Sequence, residues 1–241
     1  VNTLNSKSLE KTRRSDSLFW EQTYQKTPDL YEELIRGEKL APEIFQTLAP
    51  YLKNESVLDA GAGSGRASLE CLRFEVKKLY AVDPSPGLLN LLERKLIRKS
   101  VAKQIVVSQG CFDRLPLKDN SVSVSLACSA FTSEPRQGGE QGLAELKRVT
   151  KPGGRIVIIW PRSKDHEWFL NHGFCYVKFT LKKPMNIQFR SLQETLFCAQ
   201  YFYPKNENLF YSLQNSGKPE ISFSALGLNP PNDFFWKVIE K

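Results

Sequence analysis

The apolar positions of the chain change period near residue 56. From there, short apolar runs alternate with stretches of helical spacing. The runs at 56–60, 78–82, 104–108, 122–128 and 155–160 predict strands, and 65–74, 86–99 and 139–150 predict helices. The segment 86–99 carries Leu88, Leu89, Leu92 and Leu96 on one helical face. Near-continuous apolar strands separated by amphipathic helices predict an α/β domain, a parallel sheet covered on both faces. Upstream, Phe19, Trp20 and Tyr24 suit one face of a helix over 18–31. A second helix is expected over 41–51, with Pro42 in its first turn, where a missing N–H costs nothing. Residues 1–16 are polar and without period, which predicts a flexible arm before a single domain, 17–241, whose residues 17–52 form cap helices.

After residue 160 the pattern predicts a helix at 166–171 and strands at 174–181 and 235–239. Between those strands lies an aromatic-rich stretch, 183–232, containing Phe189, Phe197, Tyr201, Phe202, Tyr203, Phe210 and Tyr211. An insertion of that length in a compact domain is expected to be a helical lid or substrate element.

Composition narrows the class. With 41% apolar and 25% charged residues, the 241-residue chain can bury a core. Its apolar runs are far shorter than the roughly 20 residues a membrane span needs. No signal-like segment opens it, so a cytoplasmic protein is expected. Five scattered cysteines, never spaced C-x-x-C, argue against a disulfide framework or zinc site and predict buried free thiols. Two histidines make a His-rich metal site a poor expectation, and no metal is expected. The formal charge of +8 sits partly in the N-terminal arm and partly around Arg94, Lys95, Arg98, Lys99 and Lys103. Such charge reads first as a solvated tail and helix face, second as a nucleic-acid footprint.

The chemistry concentrates in Asp59-Ala60-Gly61-Ala62-Gly63-Ser64-Gly65, which follows a predicted strand and precedes a predicted helix. Glycines there let the backbone turn tightly and a ligand approach closely, while the helix start presents free N–H groups. A phosphate loop would need Gly-Lys-Ser/Thr, which is absent. A dinucleotide fingerprint read from Gly61 places Arg66 where a small residue should pack. The form acidic-x-G-x-G-x-G fits at Asp59, Gly61, Gly63 and Gly65, and a carboxylate suits a cationic, amino-acid-bearing ligand. Asp83 ends the second strand about twenty residues on, where a carboxylate can accept both hydroxyls of a ribose or simply cap the next helix.

These residues, with Val82-Asp83-Pro84-Ser85, then Gly110 and Leu115-Pro116-Leu117, then 145–154 (Glu-Leu-Lys-Arg-Val-Thr-Lys-Pro-Gly-Gly), resemble the ordered motifs of the type 11 (ubiquinone/menaquinone-biosynthesis-like) class I methyltransferases. The resemblance covers about 57–160. It implies a Rossmann-like seven-stranded sheet ending in a reversed hairpin, and S-adenosyl-L-methionine as cofactor. It places the amino-acid end near Asp59, Ala60, Gly61, Gly63 and Gly65, and the ribose on Asp83, followed by Pro84. The adenine is expected near Cys111 and Phe112, with Cys128 at the fourth-strand end and Tyr24 from the N-terminal helix closing the set. The chain departs from the family at Cys111, where an acidic residue is usual, and at Ser121-Val122-Ser123, where the family reads Ser-Phe-Asp.

Methyl transfer needs alignment and exclusion of water more than an acid or base. Glu134, His166 and His172 are candidate bases, and none is assigned as catalytic. Trp20, Tyr24 and the aromatics of the insertion could form a pocket for a small, apolar or aromatic acceptor, or be plain core. The rival readings are an RNA or protein methyltransferase using the basic surface, a non-catalytic module of this fold, and a nicotinamide oxidoreductase. Asn229-Pro230-Pro231-Asn232 lies before the last strand and is read as a turn.

Overall fold

The computed structural model describes residues 19, 20 and 22–240. The arm expected over 1–16 lies outside them. Residues 22–26 are helical, and the predicted helix 18–31 does not run through. It breaks at Thr27 because Pro28 lacks the N–H to continue it and restricts the residue before it. Pro28 instead opens a new helix, α1 (Pro28–Gly37), followed by α2 (Pro42–Leu52).

Next come β1 (Ser56–Ala60), α3 (Arg66–Cys71), β2 (Lys78–Asp83), α4 (Pro86–Lys99), β3 (Ile105–Gln109), β4 (Val122–Cys128), α5 (Gly139–Val149) and β5 (Thr150–Ile159). Short α6 (His166–Asn171) leads to β6 (Cys175–Lys178), and the last strand is β9 (Asp233–Val238). The sheet order is β3-β2-β1-β4-β5-β9-β6. Strands β1 to β5 pair in parallel, and β9 runs antiparallel to both β5 and β6. This is the Rossmann-like seven-stranded sheet with a reversed final hairpin. Its strand order reverses between β1 and β4, so their carboxyl ends diverge and leave a crevice.

Local chemistry explains the elements. In β1, Val57, Leu58, Asp59 and Ala60 are all buried, as expected for a central strand covered on both faces. Helix α4 starts where the Ser85 hydroxyl accepts from the Leu88 N–H at 3.3 Å, with Pro86 in its first turn. It buries Leu88, Leu89, Leu91, Leu92 and Leu96. One core layer packs Ile44, Phe45, Leu48 and Leu52 of α2 against the sheet, and the other packs Leu143 and Leu146 of α5 with Phe169 of α6.

Further boundaries differ from expectation; the strand read over 174–181 covers only Cys175–Lys178. Strand β5 begins at Thr150 and passes through Pro152-Gly153-Gly154, five residues before the predicted start. Thr150 pairs with Val122, the register then shifts, and a Cβ on Gly154 would stand 2.6 Å from the Ser123 carbonyl oxygen. The glycines let a bulged strand continue where a helix stop was read. The helix read over 65–74 is α-helical only to Cys71 and tightens to a 3₁₀ turn over Leu72–Phe74.

The insertion between β6 and β9 holds two helices, α7 (Leu192–Phe202) and α8 (Glu207–Ser216), and a small sheet of β7 (Asn186–Gln188) and β8 (Glu220–Ser222). Both helices carry side-chain caps: Ser191 accepts from the Glu194 N–H at 3.2 Å and Asn206 from the Leu209 N–H at 3.1 Å. Its own apolar cluster, including Ile187, Phe189, Phe202, Leu209 and Leu213, closes on Leu34 of α1. Contrary to the expectation of buried thiols throughout, Cys111 and Cys175 are exposed, while Cys71, Cys128 and Cys198 are buried. No helix among the described residues is long and apolar enough to cross a membrane.

Helix α1 meets β7 at Gly37, where a Cβ would stand 2.3 Å from the Gln188 carbonyl oxygen. Gly37→Ala is expected to push the insertion off α1 and lower stability by about 1–3 kcal/mol, read from urea unfolding.

Candidate functional site

The carboxyl ends of β1, β2, β4 and β5 converge on the glycine turn. Gly61, Gly63 and Gly65 all have positive φ (73°, 54° and 94°), the left-handed region that favours glycine. At Gly61 space also matters, because a Cβ would stand 2.5 Å from the Ala130 methyl and 3.2 Å from the Phe112 ring. The turn hangs from β2: the N–H groups of Gly61 and Ala62 donate to the Val82 carbonyl at 2.8 and 3.0 Å.

Asp83 braces it from below. One carboxylate oxygen accepts from the Gly63 N–H at 2.8 Å and the other from the Ser85 N–H at 2.8 Å. Each oxygen retains a lone pair for a further donor. Burial pushes the Asp83 carboxyl up, and the two N–H donors pull it back. Asp59 is also buried; its Oδ2 accepts from the Ser68 hydroxyl at 2.6 Å, and its Oδ1 is enclosed with no partner among the described residues. Burial raises its carboxyl to about 6.

A cavity of about 30 Å³ opens directly on the turn, lined by Asp59, Gly61, Gly63, Arg66, Tyr31 and Cys128 among others. A second cavity, of about 410 Å³, is lined by Trp20, Tyr24, Tyr31, Trp160 and Tyr203, with Glu38, Ser129, Gln137 and Arg162. The two share Tyr31 and Ile35. Between them runs a buried ion pair, Arg66 to Glu38 at 2.8 Å, with side chains only 14% and 6% exposed. The Arg66 guanidinium also lies 5.3 Å from the Trp160 ring centre. Burial raises the Glu38 carboxyl, and Arg66 opposes that rise. Tyr24 and Tyr31 face each other at 4.8 Å between ring centres, and burial drives the Tyr24 hydroxyl up to about 12.

The structure therefore brings Asp59, Gly61, Gly63 and Cys128 to one small cavity, with Asp83 bonded to the same turn. Ala60 and Gly65 shape the turn instead of lining it: Ala60 packs in the core, and Gly65 opens α3 beneath Leu92. Pro84 and Cys111 are exposed, and partial burial with the charges of Asp113 and Asp83 pushes the Cys111 thiol up. The Phe112 ring flanks Gly61 and meets Phe131 edge-on at 5.1 Å. Tyr24 sits in the larger cavity, and its carbonyl accepts from the Ser85 hydroxyl at 2.9 Å.

The three candidate bases line neither cavity. Glu134 is held by Lys164, His172 stacks on Trp168 at 3.9 Å and meets Glu140, and His166 packs between Tyr176 and Phe235. Sequence reasoning missed Ile35, Glu38 and Arg162, and it weighed Arg66 only as an obstacle to a dinucleotide. A signal was present, because Tyr31, Leu34, Ile35 and Glu38 fall at i, i+3, i+4 and i+7 and all line the larger cavity.

A family model described as a methyltransferase domain, of type 11, matches residues 58–158. That stretch holds the glycine turn, Asp83 and β4. Residues 58–158 are thus similar to the type 11 methyltransferase domain. It is 32% identical over 120 residues to an uncharacterized methyltransferase of Mycobacterium tuberculosis, covering 49% of this chain and 44% of that protein. It is 30% identical over 153 residues to a ubiquinone/menaquinone biosynthesis C-methyltransferase of Geotalea daltonii, covering 52% and 63%. The chain thus spans less than half the length of the mycobacterial relative. The fold is shared with the YcgJ protein of Bacillus subtilis, at a TM-score of 0.53 and 18% identity over 83% of this chain and 97% of that one. The matched methyltransferase domain implies S-adenosylmethionine as cofactor. The site fits it: the enclosed Asp59 oxygen lacks a positive or donor group, and the glycine backbone leaves the approach open beside Asp83.

The Asp59 shift has a definite sign for stability. Its folded value, about 6, lies above the ordinary 3.8, so the charged carboxylate is disfavoured by folding. The resulting penalty is absent below pH 4, grows between pH 4 and 6, and is complete above, at about 3 kcal/mol. Relative to wild type, Asp59→Asn should therefore gain about 2–3 kcal/mol of stability on going from pH 4 to pH 8, measured by urea unfolding at both values.

Proposed function

We propose that the chain transfers a methyl group from S-adenosylmethionine to a small-molecule acceptor with an apolar or aromatic body. One observation carries this reading: the small cavity on the glycine turn adjoins a much larger, aromatic-walled cavity through shared Tyr31 and Ile35. At about 410 Å³ the larger space is of the size that holds small organic ligands. It opens at the carboxyl ends of the strands, where ligands of such sheets bind.

In this reading the Asp83 carboxylate accepts the ribose hydroxyls with the lone pairs that Gly63 and Ser85 leave unused. Asp59 and the backbone of Gly61 and Gly63 receive the amino-acid end, where the enclosed Asp59 oxygen gains a partner. Phe112 offers a ring face to the adenine. The bound cofactor supplies a methyl group on a sulfonium, which carries its own neutral leaving group. The protein's own work is to orient the acceptor and keep water out. Trp20, Tyr24, Tyr31, Trp160 and Tyr203 supply flat apolar walls for that purpose, and burial keeps the Tyr24, Tyr31 and Tyr203 hydroxyls neutral. They can donate to, or accept from, a polar acceptor atom without introducing charge.

The test is calorimetric titration with S-adenosylmethionine and S-adenosylhomocysteine. Asp83→Ala should weaken both by about 100-fold, the loss of two hydrogen bonds to a charged acceptor, and Asp83→Asn by about tenfold. Unchanged affinity in Asp83→Ala, with a normal unfolding curve, would remove the ribose assignment. Because cofactor binding places positive charge near Asp59, it should also release protons between pH 5 and 6. The binding enthalpy should then depend on the ionisation enthalpy of the buffer in that window and not at pH 8.

A further inference from the structure

The mouth of the larger cavity is built differently from its walls. Two short segments face each other there, 161–163 after β5 and 227–229 before β9. They are tied by two hydrogen bonds, from the Trp160 indole N–H to the Asn229 carbonyl at 2.9 Å and from the Asn229 amide nitrogen to the Ser163 hydroxyl at 2.9 Å. Trp160 takes a positive φ of 52°, which ends β5 abruptly and sends the chain through Pro161 to Arg162. This rim is therefore braced, and it presents one guanidinium.

Arg162 is 48% exposed on its side chain. Its ion pair with Glu134 is long, 3.9 Å, and Lys164 holds the same Glu134 oxygen at 2.5 Å. A guanidinium carries five N–H donors in a planar fork suited to a carboxylate or phosphate. One distant contact, to an oxygen already engaged by another cation, leaves that fork largely available to a ligand. The only carboxylate lining the larger cavity among the described residues is Glu38, which is paired with Arg66. The space thus has aromatic walls, neutral hydroxyls, and a cation at its entrance.

We infer that the acceptor carries an anionic group, a carboxylate or its equivalent, which Arg162 grips at the cavity mouth while the aromatic body lies between Tyr24, Trp160 and Tyr203. The inference rests on the methyl-transfer reading above and deepens it. Arg162 is a specificity-determining residue: it selects an aromatic acid over the corresponding neutral molecule and sets the direction in which the acceptor enters. Charge-assisted pairing at a half-exposed rim is expected to favour the acid by about tenfold or more.

The probes are 4-hydroxyphenylacetate and 4-hydroxyphenylacetamide, nearly equal in shape and different in charge, titrated calorimetrically into the full chain with S-adenosylhomocysteine present. Wild type should bind the acid about tenfold more tightly than the amide. Arg162→Gln should bring the two affinities together by weakening the acid alone, and Arg162→Lys should restore part of the gap. Raising salt should narrow the wild-type difference but leave the variant unchanged. Equal affinities in wild type, a preference for the amide, no binding of either probe, or a preference retained in Arg162→Gln would each overturn the inference. Titration of the same samples with S-adenosylhomocysteine alone separates the two ideas. Absence of that binding defeats the methyl-transfer reading, whereas normal cofactor binding without acid preference defeats only the role of Arg162.

Discussion

The ion pair between Glu38 and Arg66 organises the site. Arg66 is the first residue of α3, directly after the glycine turn, and Glu38 directly follows α1. The two meet at 2.8 Å away from water, and breaking a buried pair by removing one partner costs about 3–5 kcal/mol. That expense is tolerated because the contact does something a hydrophobic pair could not do as selectively. It fixes the end of α1 against the turn, in one register, so that Tyr31, Ile35 and Glu38 stand as a wall across the crevice. The same wall closes the small cavity on one side and the large one on the other. Neither cavity would keep its shape if α1 moved.

Strain is concentrated at the same place. Ser129 and Trp160 follow β4 and β5, both with positive φ (56° and 52°), a conformation that costs a residue with a side chain about 1–3 kcal/mol. Both are held there by the sheet. The Ser129 N–H donates to the Ile159 carbonyl at 2.9 Å, and the Trp160 N–H to the Asp233 carbonyl at 3.0 Å. The antiparallel strand β9 is thus part of the site, since it pins Trp160 in the turned conformation that brings its ring to the large cavity. A reversed last hairpin and an aromatic wall are two consequences of one arrangement of backbone hydrogen bonds.

Much of this was legible in the chain. The alternating elements from 56 to 160 could be read because parallel strands buried on both faces are almost wholly apolar, and because Asp59, the three glycines and Asp83 sit at strand ends where only a ligand or a cap explains them. The N-terminal wall was misread for a physical reason. Aromatic periodicity continues from Trp20 through Tyr31, so one helix was expected, but backbone geometry at Pro28 splits it and gives α1 a stripe of its own. The Glu38–Arg66 pair left no local trace, since its partners are 28 residues apart and each alone looks like surface charge. The same holds for Arg162, whose significance comes from the loop at 227–229 that faces it. The bulged start of β5 escaped because Pro-Gly-Gly is a helix stop by local chemistry, and only pairing with Val122 turns it into strand.

The insertion completes the argument. Its aromatics could have been a separate core, and several are: Phe189, Phe202 and Phe223 belong to one buried cluster, while Phe197 and Tyr211 are exposed. Tyr203 is different, because it ends α7 and turns into the large cavity, where it meets side chains from α1 and from the strand ends. Trp20 bridges the two regions, stacked on Phe202 at 5.3 Å and lining the cavity on another face. The close approach of α1 to β7 at Gly37 and the ion pair of Arg36 with Glu194 at 2.8 Å tie the insertion to the same helix that Glu38 ties to the glycine turn. Helix α1 is therefore the common wall of the small cavity, the large cavity and the insertion. A change in the insertion can reach the glycine turn through it, and also through Trp160, which donates to the Asn229 carbonyl, packs on Phe223 and lies 5.3 Å from the Arg66 guanidinium.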